Sequence, residues 1–157
     1  MNKKGITLLE LIIVMVIIAI GAALMVPGFG AWMPHYRLRG ATRDIASTLR
    51  AAQVKAVSNN FGYGVAFDTA NQQFQLYRNS GGIGDFQVDG SPNDLPSGVT
   101  FFNIAGLPTD GPGGLPFVRF YPDSTASAAN GTITLVNNKN TQKLVRISGS
   151  TGRVTIQ

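Results

Sequence analysis

Glu10 is the only glutamate of this 157-residue chain, and it sits near the start of an otherwise uncharged apolar run, residues 6–26. An acid carried into membrane hydrocarbon costs roughly 2.5–3.5 kcal/mol on insertion scales, and intramembrane acids are usually functional. The chemistry open to such a carboxylate is pairing. In a low dielectric a cation relieves it, offering both charge and hydrogen-bond donors. The other reading is a carboxylate near a helix end that reaches headgroup water.

Other chemistry-bearing residues are few. Asp85, Asp89 and Asp94 share one stretch. Hard cations take oxygen ligands, but this spacing lacks the EF-hand pattern, so a solvated acidic loop is expected. His35 is the single histidine and the chain has no cysteine, which removes the usual zinc ligand sets. No nucleophile elbow is present, and Gly81-Gly82-Ile83-Gly84 has the wrong spacing for a phosphate loop. The expectation is no enzyme, no metal and no cofactor. Arg146 and Arg153 flank the tight connection Gly149-Ser150-Thr151-Gly152, so a hairpin would bring both to one patch able to touch phosphate. Asn130-Gly131-Thr132 fits a glycosylation sequon and equally a turn into a strand; the turn is preferred.

The elements that position these residues change period along the chain. Residues 6–26 as a helix would rise roughly 31 Å, close to one bilayer core. Pro27, with Gly28, Gly30 and Pro34, is expected to interrupt that helix with a kink or a melted turn. Trp32 and Tyr36 suit a membrane–water interface. A second helical stretch is read over residues 35–59, with Leu38, Ile45, Leu49, Ala52 and Ala56 on one face and Arg39, Arg43 and Arg50 on a solvated stripe away from it. After Asn60 the period becomes two. Phe61, Tyr63, Val65 and Phe67 alternate with small residues, and residues 69–72 turn towards Phe74 and Leu76, a hairpin pattern. Residues 81–98 read as loop. Further strands are expected at 99–104, 117–121, 132–136, 143–148 and 153–157. Together these predict an α+β chain: a long N-terminal helix packed on an antiparallel sheet or sandwich.

Bulk numbers fit one modest domain plus an anchor. The formal charge is +5, and without Lys3 and Lys4 it falls to +3, with 11 basic against 8 acidic side chains. That is too mild to imply a nucleic-acid partner. Lys3 and Lys4 precede the apolar run, but Arg37, Arg39 and Arg43 follow it, so basic residues alone leave membrane orientation open.

A basic leader ending in glycine, Lys3-Lys4-Gly5, then Ile6-Thr7-Leu8-Leu9-Glu10 and the apolar helix, resembles the class III leader of type IV pilins and pseudopilins. At the other end, Phe120-Tyr121-Pro122-Asp123-Ser124, Gly131-Thr132-Ile133-Thr134-Leu135, Val145-Arg146-Ile147-Ser148 and Gly152-Arg153-Val154 resemble the GspH/FimT-type minor pseudopilins and minor pilins, which often carry glycine where Ser124 stands. The resemblance implies cleavage between Gly5 and Ile6 by a prepilin peptidase, N-methylation of Ile6, and assembly through Glu10 and Thr7, with Glu10 pairing the free amine of a neighbouring subunit. Pairing with its own chain's amine one turn away is the local alternative. It also implies a leader at 1–5, a transmembrane and filament-core helix at 6–30 with a kink at Pro27, an amphipathic second half at 31–60 and a β domain at 61–157. Function and partners follow from the same likeness. They are a structural subunit of a type IV pilus or type II secretion pseudopilus, other subunits, an inner-membrane assembly platform, and a single-pass inner-membrane location with the C-terminal domain outside the cytoplasm. The alternative is a DNA-binding minor pilin acting in uptake through Arg146 and Arg153. Some FimT-like proteins use a Gly-Arg-x-Arg ending, and here Thr155 replaces the second arginine.

Overall fold

A computed structural model describes residues 6–79 and 85–157, apart from the side chains of residues 24–31. Lys3, Lys4, Gly5 and the glycine-rich 81–84 segment lie outside the described residues. The chain divides into two compact units, Met1–Met33 and Pro34–Gln157.

Helix α1 (Leu8–Asn59) contributes to both units. In the first unit its apolar side chains lie open. Leu8, Leu9, Ile17 and Ile18 are each at least 60% exposed, and none of the large residues from Leu8 to Ile20 is buried. Backbone helix continues through Pro27, so the expected melted turn is absent. Proline removes one N–H donor and crowds the preceding carbonyl, but the helical ladder resumes on either side of it. Among the described residues no helix is long and apolar enough to cross a membrane.

In the second unit α1 buries one face. Leu38, Ile45, Leu49, Ala52 and Ala56 are all essentially inaccessible, as their spacing predicts, and Ala41, Thr42 and Ala46 widen that face. Thr42 Oγ1 donates to the Leu38 carbonyl at 2.6 Å, which satisfies its hydroxyl inside the core.

The rest is antiparallel β structure in two sheets. The first runs β3 (Phe86–Val88), β2 (Gln73–Asn79), β1 (Gly62–Asp68), β6 (Phe117–Phe120), with β4 (Asn93–Asp94) also pairing β2; the second runs β5 (Val99–Ala105), β7 (Asn130–Asn137), β8 (Gln142–Ser148), β9 (Val154–Ile156). Strands β1 (Gly62–Asp68) and β2 (Gln73–Asn79) form the expected hairpin, with Asp68 Oδ1 accepting from the Ala70 and Asn71 amides in the turn. The strands β5 (Val99–Ala105), β6 (Phe117–Phe120), β7 (Asn130–Asn137), β8 (Gln142–Ser148) and β9 (Val154–Ile156) lie where they were expected. The stretch read as loop is not all loop. It holds β3 (Phe86–Val88) and β4 (Asn93–Asp94), which complete edge ladders on β2. The core joins the helix face to both sheets through Val65, Phe67, Phe74, Phe101, Ile133, Leu135, Val145 and Ile147.

The first sheet is covered on its outer face too, which the alternating pattern did not foretell. Every residue from Tyr63 to Phe67 is buried. Phe117 lies over Gly64, where a Cβ would collide with its ring, and Phe86 meets Phe117 edge-on at 5.1 Å between centroids.

Candidate functional site

Thr7 immediately precedes α1. Its Oγ1 accepts the Glu10 amide at 3.3 Å, and its carbonyl accepts the Leu11 amide at 3.2 Å. Thr7 is therefore the N-cap and Glu10 the third helical residue, the spacing of a capping box. An acid in the first turn also faces the positive end of the helix dipole. The reciprocal bond from the Glu10 carboxylate to the Thr7 amide is not made, and the carboxylate has no hydrogen bond or ion pair among the described residues. Glu10 is thus held by its backbone and has no side-chain partner among the described residues, on a stretch whose apolar neighbours are all uncovered. Ile6, just ahead of the helix, is 76% exposed.

The C-terminal motif residues serve a joint between helix and sheets. Gln53 of α1 donates Nε2 to the carbonyl of Ser124 at 3.2 Å and to that of Thr151 at 3.3 Å, so one amide ties two turns. Gly152 has φ +60, and a Cβ there would lie well inside 3.0 Å of the Ser124 carbonyl oxygen and against the Gln53 amide. That explains the glycine before Arg153 by conformation and by space. Ser124 also has a left-handed backbone, φ +69. Its amide donates to the Tyr121 carbonyl, and Asp123 Oδ1 accepts from the Thr125 hydroxyl at 2.7 Å and the Thr125 amide at 3.0 Å. Those two bonds hold the Asp123 carboxyl below its ordinary range, the hydroxyl contributing most. Arg50 adds a third tie, Nη2 to the Val154 carbonyl at 3.3 Å. Arg50 is still exposed, as the solvated stripe predicts, while it reaches the backbone of β9. Arg39 and Arg43 remain exposed.

Arg146 and Arg153 do come together. Arg146 stands opposite Thr155 in the β8–β9 ladder, and with Arg153, Asn130, Thr132 and Gln157 they line an open groove of about 500 Å³. Both arginines are exposed, and neither pairs with an acid among the described residues.

The aspartates do not converge. Asp89 Oδ2 accepts from Lys55 Nζ at 2.7 Å, which corrects the simple solvated-loop reading, while Asp94 sits in β4 and Asp85 is exposed. Both partners of the Lys55 pair are about a third or more exposed, so it adds little stability. Among the described residues no cluster of His, Asp or Glu could hold a metal ion. His35 is exposed. Sequence reasoning missed Gln53, whose signal was a polar residue four positions after Leu49, beside the buried face. It also missed the N-cap, which Thr7 ahead of the apolar run supplies.

Known proteins agree with this architecture. Residues 41–152 match the family described as type II transport protein GspH, and residues 1–26 match the prokaryotic N-terminal methylation motif. No curated protein matches the chain. The fold is similar to the minor pseudopilin EpsH of the type 2 secretion system of Vibrio cholerae, with 12% identity, TM-score 0.61, and 77% of this chain and 96% of that one covered. It is also similar to the type IV minor pilin FimU of Pseudomonas aeruginosa, with 14% identity, TM-score 0.58, and 78% and 90% covered. The solution structure of Escherichia coli GspH gives 12% identity, TM-score 0.59, and 78% and 88% covered. With the GspH match spanning most of its length, the chain belongs to the GspH family and is a structural subunit of the minor pseudopilin and minor pilin class, not an enzyme.

Proposed function

We propose that this subunit enters an envelope-spanning filament through the first turn of α1. A prepilin peptidase cuts between Gly5 and Ile6, and the new amine of Ile6 is N-methylated. Residues 6–26 hold the processed chain in the inner membrane, with residues 61–157 outside the cytoplasm, until an inner-membrane platform adds it to other subunits. Pro27 bends the helix where it leaves the lipid. Residues 6–30 then form the filament core, and residues 31–60 carry the β domain.

The observation that carries this reading is the state of Glu10. Its backbone is fixed by the Thr7 cap, its carboxylate has no partner among the described residues, and it lies in an uncovered apolar stretch. Helix capping alone accounts for the position but not for the apolar surroundings, where an unpaired acid costs roughly 2.5–3.5 kcal/mol. The amine of a neighbour's Ile6 would remove that cost in the assembled state and leave it in place in the free subunit, which favours assembly.

Glu10→Ala tests the pairing. The variant should insert in the membrane and fold its β domain normally, yet fall well below wild type in sheared filaments. Wild-type recovery would remove the pairing mechanism. A second reading, capture of DNA by the groove of Arg146 and Arg153, is supported by their convergence. Two phosphate contacts give a salt slope of roughly −2 or shallower and no affinity tighter than micromolar at physiological salt. Tighter binding that vanishes in Arg153→Ala would promote it.

A further inference from the structure

Charge is divided unevenly along this chain. Residues 124–157, which supply β7, β8 and β9, hold Lys139, Lys143, Arg146 and Arg153 and no acid. Residues 85–98, which supply β3 and β4, hold Asp85, Asp89 and Asp94 and no base.

Each stretch meets α1 at an open notch. On one flank Arg39 and Arg43 of α1 and Lys143 of β8 line a notch of about 210 Å³, together with Thr42 and with Ile156 of β9. On the other flank Asp44 of α1 and Asp94 of β4 line a notch of about 240 Å³, with apolar walls from Phe74, Leu95 and Pro96. A helix turns about 100° per residue. By that count Arg39 and Arg43 fall on one side of the buried arc of Leu38, Ala41, Thr42 and Ile45, and Asp44 falls on the other. None of these five charged groups has an ion pair or a side-chain hydrogen bond among the described residues. Arg37 lies on the acidic flank by the same count, and its Nη1 donates to the Ser97 carbonyl at 3.0 Å, so the two carboxylates still outnumber the cation there.

We propose that these notches are the two halves of one contact, in which the cationic notch of one copy of this chain receives the acidic flank of a second copy. Juxtaposed like charges repel, so each notch selects the other rather than itself. Two different patches on one molecule make a heterologous contact, which leaves one free notch at each end of the pair and so can extend. Exposed ion pairs are individually weak and screened by salt, so the contact sets register and orientation between neighbours more than affinity. That it serves filament growth rests on the filament reading above; the pairing of the two notches does not. It is also separate from the pairing of Glu10, since both notches lie in the second compact unit.

The chain has no cysteine, so an introduced pair reports without background. Asn93→Cys in the acidic notch and Ile156→Cys in the cationic one leave all five charges in place. The full chain carrying one is mixed in detergent at low salt with the full chain carrying the other, told apart by a size tag, and oxidised mildly. The expected product is the mixed disulfide dimer, several-fold above either same-site dimer, and it fades towards 1 M salt, where the screening length falls to about 3 Å. Arg39→Glu with Arg43→Glu in the Ile156→Cys chain should abolish it. Adding Asp44→Lys with Asp94→Lys to the Asn93→Cys chain should restore it, which a chain that had merely failed to fold does not allow. Mixed and same-site dimers in equal yield, or no restoration by the paired reversal, would overturn the contact. Glu10→Ala in both chains should leave the cross-link unchanged; its loss would move the association to the start of α1 and overturn the notches. In cells making both cysteine chains, the same mixed disulfide should appear in sheared filaments. A pair that links in detergent but not in filaments would overturn its part in filament growth.

Discussion

Gly152→Ala is the sharpest probe of how the last hairpin is held. Two penalties meet at this position. The left-handed backbone, φ +60, costs an L-residue about 1–2 kcal/mol. The added methyl also falls on the Ser124 carbonyl and the Gln53 amide, so it must push apart the two hydrogen bonds that Gln53 makes, at about 1 kcal/mol each. Stiffening of the unfolded chain returns about 0.4–1 kcal/mol. The net loss is about 2–3.5 kcal/mol, or ~8–14 °C in melting temperature for a unit of this size. Gly113 is the matched control. It has nearly the same φ, +66, but nothing within 4 Å of its would-be Cβ, so Gly113→Ala carries the backbone strain alone and should lose about 1 kcal/mol or less. Thermal unfolding of both variants, followed by near-ultraviolet circular dichroism on the full chain in detergent, reads the difference. Equal melting of the two would refute the idea that Gly152 is fixed by contact with the Ser124 turn.

Leu49 is fully buried in the face that α1 turns to the sheets, so Leu49→Asp should cost at least about 3 kcal/mol through an unpaired buried charge; unchanged melting would mean the helix does not dock there. Ser124 has φ +69 and no hydrogen bond from its hydroxyl among the described residues, so Ser124→Gly should relieve strain and stabilise by about 0.5–1 kcal/mol net; a lower melting temperature would contradict that account of the turn.

The sequence carried the parts of this fold that repeat with a period. Leu38, Ile45, Leu49, Ala52 and Ala56 announce their burial because a helix must present them together, and the β1–β2 hairpin follows from alternation around a polar turn. What stayed hidden depends on partners distant in sequence. Strands β3 and β4 hold three and two residues, too short for any period, and exist because β2 offers an edge. Arg50 looks like a surface cation until β9 passes beneath it, 104 residues later. The backbone of Ser124 is set by the turn and not by the residue type. Glu10 was legible as an anomaly, and Arg146 and Arg153 as a hairpin pair, because one short turn joins their strands. The charged notches beside α1 were invisible, since Arg39 and Arg43 meet Lys143, and Asp44 meets Asp94, only in the fold.

Maturation of this chain at its N-terminus and its entry into a filament rest on residues 5, 6 and 10. Intact mass of the chain recovered from sheared filaments of cells with an active prepilin peptidase tests it directly. The expected chain begins at Ile6, lighter by the first five residues and carrying one added methyl group. A chain that keeps Lys3, Lys4 and Gly5, or one absent from the filaments altogether, would contradict it.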